Sequence, residues 1–149
     1  MINEKELVNK IFKSISKIAF LDRKRIINYK DLKLFPSEIH LLLFVYHIQN
    51  TNITKIADHI GLTKGAISQT LSRLNKKGLI VKETDPYKKN QLHIQFTQKG
   101  EILMKHIIEV KKNMEDEYSK YLKTLSDKEK LVISNFLDKL VSILHKQHK

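Results

Sequence analysis

The chain has 149 residues, no cysteine and a formal net charge of +12. This length fits one compact domain, or one domain with an extension, and is enough to bury a real core. The lack of cysteine excludes disulfides, thiol catalysis and cysteine-based peroxide sensing. The N-terminus MINEKELVNK lacks the apolar segment of a signal peptide, and no apolar run reaches the length of a membrane span. We therefore expect a cytoplasmic protein with no membrane partner.

A first helix is predicted over about residues 4–21, because apolar residues recur there at helical spacing. The stretch from Asp22 to Lys33 has no such period and is predicted to be the least ordered part of the chain. A second helix is predicted from Pro36 to about Ile48, since a proline at the first helical position gives up no hydrogen bond.

Residues 52–78 predict two short helices joined by a tight turn. Asn52 suits the N-cap of the first helix and Thr63 that of the second, because both side chains offer an oxygen to unpaired backbone amides. Gly61 stands where the chain must reverse, a position that favours a residue able to adopt positive φ. Gly78 closes the second helix.

The second of these helices has an apolar face and a polar face. Its predicted core stripe consists of Ile67, Leu71 and Leu74. The opposite face holds Gly65, Gln69, Ser72 and Lys76, flanked by Ser68 and Arg73. Small and neutral hydrogen-bonding residues are common on this face, whereas an ordinary solvated helix face is charged. The pattern favours a helix that docks in a DNA groove over a simple solvated hairpin of helices.

The sequence period changes after Gly78. A short β-branched stretch at 79–83 and an alternating stretch at 91–96 predict two strands. The residues between them, 85–90, include a proline and an asparagine that favour a turn. Two lysines lie at the tip of this predicted wing, Lys88 and Lys89.

A long helix is predicted after the wing, over about residues 98–123, because apolar residues from Leu103 to Leu125 recur at intervals of three and four. A capping box formed by Ser126 and Glu129 starts a last helix. Together with the first helix, these helices carry more apolar surface than a small helix-turn-helix core can cover. An intermolecular helical bundle would bury that surface, so we expect a homodimer. The alternative is that the helices fold back on their own domain.

Positive charge is concentrated around the wing and around the helix between Thr63 and Gly78, which would be the DNA-recognition helix. Residues 63–99 hold eight Lys and Arg and two acidic residues. The net charge of this segment is therefore +6, half of the +12 of the whole chain. A concentrated basic patch is the electrostatic signature of a polyanion partner, here double-stranded DNA. A lysine-rich composition that scatters lysines everywhere is the alternative, and the clustering favours DNA.

Residues from about Pro36 to Gly100 resemble the MarR family of bacterial transcriptional regulators. The matching pieces are PSEIHLLL, the helix-turn-helix, KKGLI, the wing DPYKKNQLHIQF and the closing TQKG. The resemblance implies a mainly α fold with a small β-hairpin wing, in which a winged helix-turn-helix is flanked by long dimerisation helices. Residues 1–35 would be an N-terminal helix and connector contributing to dimerisation, 36–98 the DNA-binding domain, and 99–149 the C-terminal dimerisation helices.

Members of this family are homodimers, mostly repressors, that bind pseudo-palindromic operators and release them when a small ligand or oxidant binds. The resemblance implies the same function here. One departure concerns the wing, where the family usually has an aspartate that positions a minor-groove arginine. In this chain the aspartate is missing and Lys89 stands where the arginine is expected. Because lysine lacks the planar fork of arginine, we expect the wing to supply mostly phosphate attraction.

Contacts to DNA are predicted residue by residue. Gln69 is the first candidate for a base contact, since its amide can pair bidentately with adenine, and Ser68 and Arg73 are second choices. The predicted backbone contacts position the protein without reading sequence. They are Thr63, Lys64, Ser72, Lys76, Lys77, Lys82, Lys88, Lys89 and Asn90. An ordinary solvated role remains open for each.

An organic effector site is implied by the resemblance alone. The candidate pocket residues, which could equally be ordinary core, are Phe20, Tyr29, His40, Phe44, His47 and His106. Some relatives bind zinc, and seven histidines invite the same hypothesis. However, His40 and His47 would be about 10 Å apart on a helix, and no HxxxH or HxH pair exists. We therefore predict no metal site and no cofactor, and keep a zinc- or metal-responsive regulator as an alternative.

Two other classes of protein remain open. A winged-helix module can bind protein rather than DNA, although the basic recognition helix and wing argue against it. An enzyme is not expected, because the sequence has no Gly-rich phosphate loop, nucleophile motif or convincing metal constellation.

Overall fold

The computed structural model describes residues 3–48, 50–84, 87 and 91–147. Its helices are α1 (Glu4–Arg23), α2 (Pro36–Tyr46), α3 (Ile53–Ile60), α4 (Lys64–Lys76), α5 (Gln98–Leu122) and α6 (Asp127–Gln147). Its strands are β1 (Ile27–Tyr29), β2 (Leu32–Leu34), β3 (Asn50–Thr51), β4 (Ile80–Thr84) and β5 (Leu92–Phe96). The chain divides into two compact units, residues 1–107 and 108–149. The three functional segments drawn from the sequence, 1–35, 36–98 and 99–149, stay a prediction.

The core of the first unit lies where α2, α3 and α4 pack together with the base of β4. The predicted stripe of α4 is confirmed, because Ile67, Leu71 and Leu74 are all at most 1% exposed. Further fully buried side chains come from β2, α2, α3, β4 and the start of α5, and from the residue before β4: Leu34, Leu41, Leu42, Ile56, Leu79, Ile80, Leu103 and Met104. Burial of this stripe fixes which face of α4 remains outside.

The predicted wing is confirmed as an antiparallel pair of strands. Its register runs from Ile80 opposite Phe96 to Thr84 opposite Leu92. The two-residue strand β3, which the sequence did not predict, pairs with the other edge of β5, so the sheet order is β3-β5-β4. The predicted wing-tip contacts Lys88, Lys89 and Asn90 lie outside the described residues.

The prediction for residues 22–33 was wrong, because this segment contains a β-hairpin. Strands β1 and β2 pair antiparallel, with Ile27 opposite Leu34 and Tyr29 opposite Leu32. The chain turns at Lys30, whose φ of 51° is positive. Each strand has three residues, which is too short for a period-2 pattern to stand out in the sequence.

The predicted caps are present. The Asn52 side chain accepts from the Lys55 N–H at 2.8 Å, and the Thr63 hydroxyl accepts from the Ala66 N–H at 3.1 Å. Gly61 adopts a left-handed φ of 75° between the two helices. The turn that sets α4 against α3 is therefore encoded locally.

Apolar side chains remain exposed on the long helices of a single chain. None of the residues of α1 is buried. Large exposed apolar residues lie along α1, the second half of α5 and α6: Leu7, Phe12, Ile18, Tyr118, Tyr121, Leu131, Val132, Phe136, Leu137 and Val141. Within the described ranges, no helix combines the length and apolar character needed to cross a membrane.

Candidate nucleic-acid interface

The outer face of α4 is polar, as predicted. Gln69, Arg73 and Lys76 are exposed, and Ser68 and Ser72 are half-buried at its edges. All of these residues lie away from the buried stripe that fixes the helix to the core. The structure thus brings the predicted base-contact residues onto one surface.

The start of α4 is compact and open to an approaching surface. A Cβ atom built on Gly65 would have only the Thr63 hydroxyl nearby, at 4.0 Å. Lys64 is exposed beside it. The Thr63 hydroxyl, which accepts the capping hydrogen bond, still has its own proton to donate. Such an end can bring backbone and hydroxyl groups close to a phosphate.

The wing and the recognition helix are linked through two of the predicted backbone contacts. The Lys82 ammonium on β4 donates to the Ser72 hydroxyl on α4 at 3.0 Å. Lys82 itself is exposed. This contact holds one positive charge at the junction between helix and wing.

Arg73 is held on the surface of α4 by two neighbours. Its Nη2 donates to the Thr70 hydroxyl at 2.9 Å, and its Nε lies 3.6 Å from a carboxylate oxygen of Glu38. Thr70 in turn donates to the Ala66 carbonyl at 2.8 Å. With 48% of its side chain exposed, Arg73 is oriented but still accessible.

Lys77, directly after α4, contacts groups within the protein. Its ammonium donates to both carboxylate oxygens of Glu38, at 2.8 and 2.7 Å, and to the Lys33 carbonyl at 2.7 Å. Glu38 is completely buried and also accepts from the Phe35 N–H at 2.9 Å. The phosphate contact of Lys77 stays a prediction, and its contact with Glu38 gives it a structural role that the sequence analysis missed.

A signal for Glu38 was present in the sequence. In PSEIHLLL the glutamate stands at the third position of a helix that opens with proline, where its side chain can reach back to an unpaired backbone amide. The sequence could not show that Lys77 and Arg73, far along the chain, converge on the same carboxylate.

The junction behind the wing explains the TQKG motif. The Thr97 hydroxyl donates to the Gly78 carbonyl at 2.6 Å and accepts from the Gly100 N–H at 3.0 Å. A Cβ atom on Gly100 would overlap the Leu79 carbonyl oxygen. The first turn of α5 therefore packs directly against the chain that leaves the recognition helix.

Tyr46 connects the end of α2 to this same first turn of α5. Its hydroxyl donates to the Glu101 carboxylate at 3.0 Å, and its ring packs edge-on against Phe96 at 5.2 Å. The hydrogen bond to Glu101 raises the pKa of Tyr46, with further contributions from burial and from the negative charge of Glu101.

Three of the six predicted effector residues line one cleft. His40, Phe44 and His47 of α2 face a cavity of about 540 Å³. The cleft is completed by four residues that were not predicted from the sequence: Leu43, Ile48, His59 and Ile60. The Phe44 and His59 rings stack with their centroids 4.2 Å apart, which joins α2 to α3 at this cleft.

The other three predicted effector residues make different contacts. Tyr29 and His106 form a tilted ring pair with centroids 4.8 Å apart. Phe20 is 51% exposed and lies under the Lys24 ammonium at 4.4 Å.

The histidines are the candidate metal ligands of the alternative, metal-responsive reading. In the part of the chain that the structure describes, no group of three or more His, Asp or Glu side chains is arranged to hold a metal ion. His40 lies 3.7 Å from a carboxylate oxygen of Asp22, which is a single pair.

Residues 34–88, which contain the helix-turn-helix and the first strand of the wing, match the MarR family. Over this segment the chain is similar to the MarR family. Among its curated relatives, the Staphylococcus aureus HTH-type transcriptional regulator SarZ is 25% identical over 120 residues, covering 80% of this chain and 78% of SarZ. The Bacillus subtilis HTH-type transcriptional regulator MhqR is 30% identical over 67 residues, covering 45% of this chain and 46% of MhqR.

A similarity of fold to a solved structure extends over nearly the whole chain. Lactococcus lactis ZitR, solved in complex with DNA, superposes with a TM-score of 0.75, covering 97% of this chain and 99% of ZitR at 19% identity. At this identity the likeness is one of fold. It confirms the predicted mainly α winged helix-turn-helix with long flanking helices.

Proposed function

We propose that this protein is a homodimeric transcriptional repressor that binds a pseudo-palindromic DNA operator and is released by an effector. One observation carries the proposal: α4 buries an apolar stripe and presents Gln69 and Arg73 on its open face, beside a two-stranded wing. A helix of this kind fits the major groove, where base edges can be read. The relatives SarZ and MhqR are transcriptional regulators, and ZitR has been solved with DNA.

Different residues would supply specificity and affinity. Gln69 would read base edges, with Ser68 and Arg73 assisting it. Backbone contacts would come from the ends of α4 and from the wing, as predicted from the sequence: Thr63, Lys64, Ser72, Lys76, Lys77, Lys82, Lys88, Lys89 and Asn90. For Lys82, binding would mean that its ammonium is shared between the Ser72 hydroxyl and a phosphate.

The dimer is supported by the apolar residues that a single chain leaves exposed. Phe12 of α1, Tyr118 of α5 and Phe136 of α6 are 63%, 65% and 44% exposed. Burying such side chains against a second copy contributes about 25 cal/mol for each Å² of apolar surface. Two-fold symmetry would then place two recognition helices about 34 Å apart, one DNA turn, and an inverted repeat would match them.

An effector would bind the cleft lined by His40, Phe44 and His47. Its volume of about 540 Å³ lies in the range of small-molecule sites. Because the cleft joins α2 to α3, a ligand there would bear directly on the first helix of the helix-turn-helix. The imidazole groups of His40 and His47 and the phenyl ring of Phe44 suit an aromatic carboxylic acid as the ligand.

A metal-responsive regulator of the same fold is the second candidate. ZitR is a zinc-responsive family member, and the Asp22–His40 pair places two possible ligands together in this chain. No enzymatic step belongs to either candidate, and we place the protein in the cytoplasm, where chromosomal DNA is. A protein-binding winged helix is the remaining alternative.

The first experiment is a fluorescence-anisotropy titration of duplex DNA from upstream of the gene, with a scrambled duplex as control, at two salt concentrations. Sedimentation equilibrium on the same samples gives the stoichiometry. We expect tight, salt-sensitive binding of two chains for each operator and a clear preference for the upstream DNA.

Weak and equal binding to both duplexes would contradict an operator at this site and would favour the protein-binding alternative. A monomer at the concentrations that bind DNA would contradict the dimer. Once an operator is known, the two candidates can be separated by what releases the protein from it. Release by zinc would favour the metal-responsive regulator. Release by a panel of aromatic carboxylic acids, with the matching alcohols as controls, would favour the organic effector.

A further inference from the structure

The β1–β2 hairpin presents an exposed lysine, Lys33, that is not among the assigned DNA contacts. Leu32 and Leu34 of β2 are buried, and Lys33 between them is exposed. Because side chains alternate along a strand, anchoring the two leucines forces Lys33 outward. The hairpin is therefore a fixed platform for this lysine.

The platform is attached to the end of the recognition helix. The Lys77 ammonium, one residue beyond α4, donates to the Lys33 carbonyl at 2.7 Å. The end of β2 is therefore close enough to the end of α4 for a single lysine side chain to connect them. Lys77 also binds Glu38, which approaches Arg73 on the exposed face of α4.

Phe35 lies near both lysines and is 44% exposed. The ammonium groups of Lys33 and Lys77 each lie 5.6 Å from the centre of its ring. Distances of this size allow a cation–π attraction that holds both charges near the ring. We call this surface, formed by Lys33, Phe35 and Lys77, the hairpin flank.

The outward charge of the hairpin flank is that of Lys33, because the Lys77 ammonium is paired with Glu38. Glu38 is completely buried beneath the flank. Asp22 lies 3.7 Å from His40, and Asp31 lies 3.6 Å from Lys99. The outward side of the flank is therefore positive, with an exposed aromatic ring near Lys33.

We propose that the hairpin flank binds the sugar-phosphate strand at the border of the groove that α4 occupies, with Lys33 contacting a phosphate and Phe35 a deoxyribose. An α-helix about 10–12 Å wide fills a major groove of about 12 Å. Elements fixed beside the helix consequently face the strand at the groove edge. This inference rests on the proposed DNA-binding function and adds a contact outside the helix-turn-helix and wing.

The chain has no cysteine, so one introduced cysteine can be labelled selectively. A Lys33→Cys variant carrying an iron chelate that cleaves nearby DNA strands is bound to the operator, and Lys10→Cys on the exposed surface of α1 is the control. We expect cleavage at defined positions bordering each half-site from position 33 and only background from position 10.

A second measurement uses the salt dependence of affinity. Lys33→Ala should flatten the slope of log K against log salt by about 0.9 for each protomer bound, which corresponds to about eightfold weaker binding per lost contact near 0.1 M salt. Lys10→Ala should leave the slope unchanged.

The proposed contact is overturned if labelled Lys33→Cys binds the operator but cleaves no more than the control, or if Lys33→Ala keeps the wild-type slope. Either result would leave DNA binding by α4 intact. A wild-type protein that binds no duplex specifically would instead overturn the proposed function itself.

Discussion

The Lys77 ammonium lies 2.7 and 2.8 Å from the two carboxylate oxygens of Glu38, a side chain with no exposed surface. Glu38 belongs to the first turn of α2, and Lys77 follows the last turn of α4. The pair therefore joins the start of one helix to the end of the recognition helix. Arg73 and the Phe35 N–H add further positive or donor groups around the buried carboxylate.

Removing Lys77 should destabilise the fold because it leaves a buried charge without its main partner. For Lys77→Met we expect a loss of about 3 kcal/mol in the free energy of unfolding, the lower end of the range for broken buried pairs, since Arg73 and the Phe35 N–H remain. Urea denaturation of the wild type, Lys77→Met, Glu38→Gln and the double variant completes a double-mutant cycle. We expect the coupling free energy between Lys77 and Glu38 to exceed about 1 kcal/mol.

A matched control is available at the surface. Lys99 lies 3.6 Å from Asp31, with 46% and 76% of the two side chains exposed. Lys99→Met should therefore cost at most about 1 kcal/mol. Equal losses for Lys99→Met and Lys77→Met would contradict the structural role of the buried pair.

Gln69 should contribute to the choice of DNA sequence. Gln69→Ala should weaken operator binding by about 10- to 100-fold, the value of one good base contact, and leave scrambled DNA almost unaffected. Lys64→Ala, and Lys89→Ala on the sequence prediction, should weaken binding to both duplexes together. Anisotropy titrations measure both effects, and equal losses on both duplexes for Gln69→Ala would remove Gln69 from base readout.

Alanine substitution should have opposite effects on stability at two of the glycines. Gly100→Ala places a methyl group against the Leu79 carbonyl, so we expect a loss of about 2 kcal/mol in stability. Gly65→Ala meets open space and should gain up to about 1 kcal/mol from helix propensity. Thermal denaturation distinguishes them. The same Gly65→Ala protein should bind operator more weakly, because the methyl group stands on the face turned toward the groove.

Tyr46 should titrate above the ordinary tyrosine pKa of 10.0. The folded state favours the neutral phenol, because its proton is donated to Glu101. The resulting stability is present below the unfolded pKa of tyrosine and is lost as pH rises through the higher folded pKa. Ultraviolet difference titration against Tyr46→Phe isolates this group. Glu101→Gln should lower its pKa, and an unchanged titration would contradict the hydrogen bond.

Local chemistry was enough to predict the helix-turn-helix and wing. Asn52 and Thr63 cap their helices through their own neighbours, and Gly61 supplies the left-handed turn. The buried stripe of α4 follows from helical spacing alone, so the residues on the opposite face, including Gln69, could be named in advance. Each of these signals lies within a few residues of the structure it determines.

Only the tertiary structure decided which distant groups meet. The β1–β2 hairpin has strands too short to show a period, and it is fixed by burial of Leu32 and Leu34. The contacts of Lys77 with Glu38 and with the Lys33 carbonyl join residues 39 and 44 positions apart. Residue spacing in the sequence does not predict contacts between residues so far apart, because such contacts depend on how whole helices pack. Sequence periodicity therefore determined the face that α4 presents, and packing determined which charges surround it.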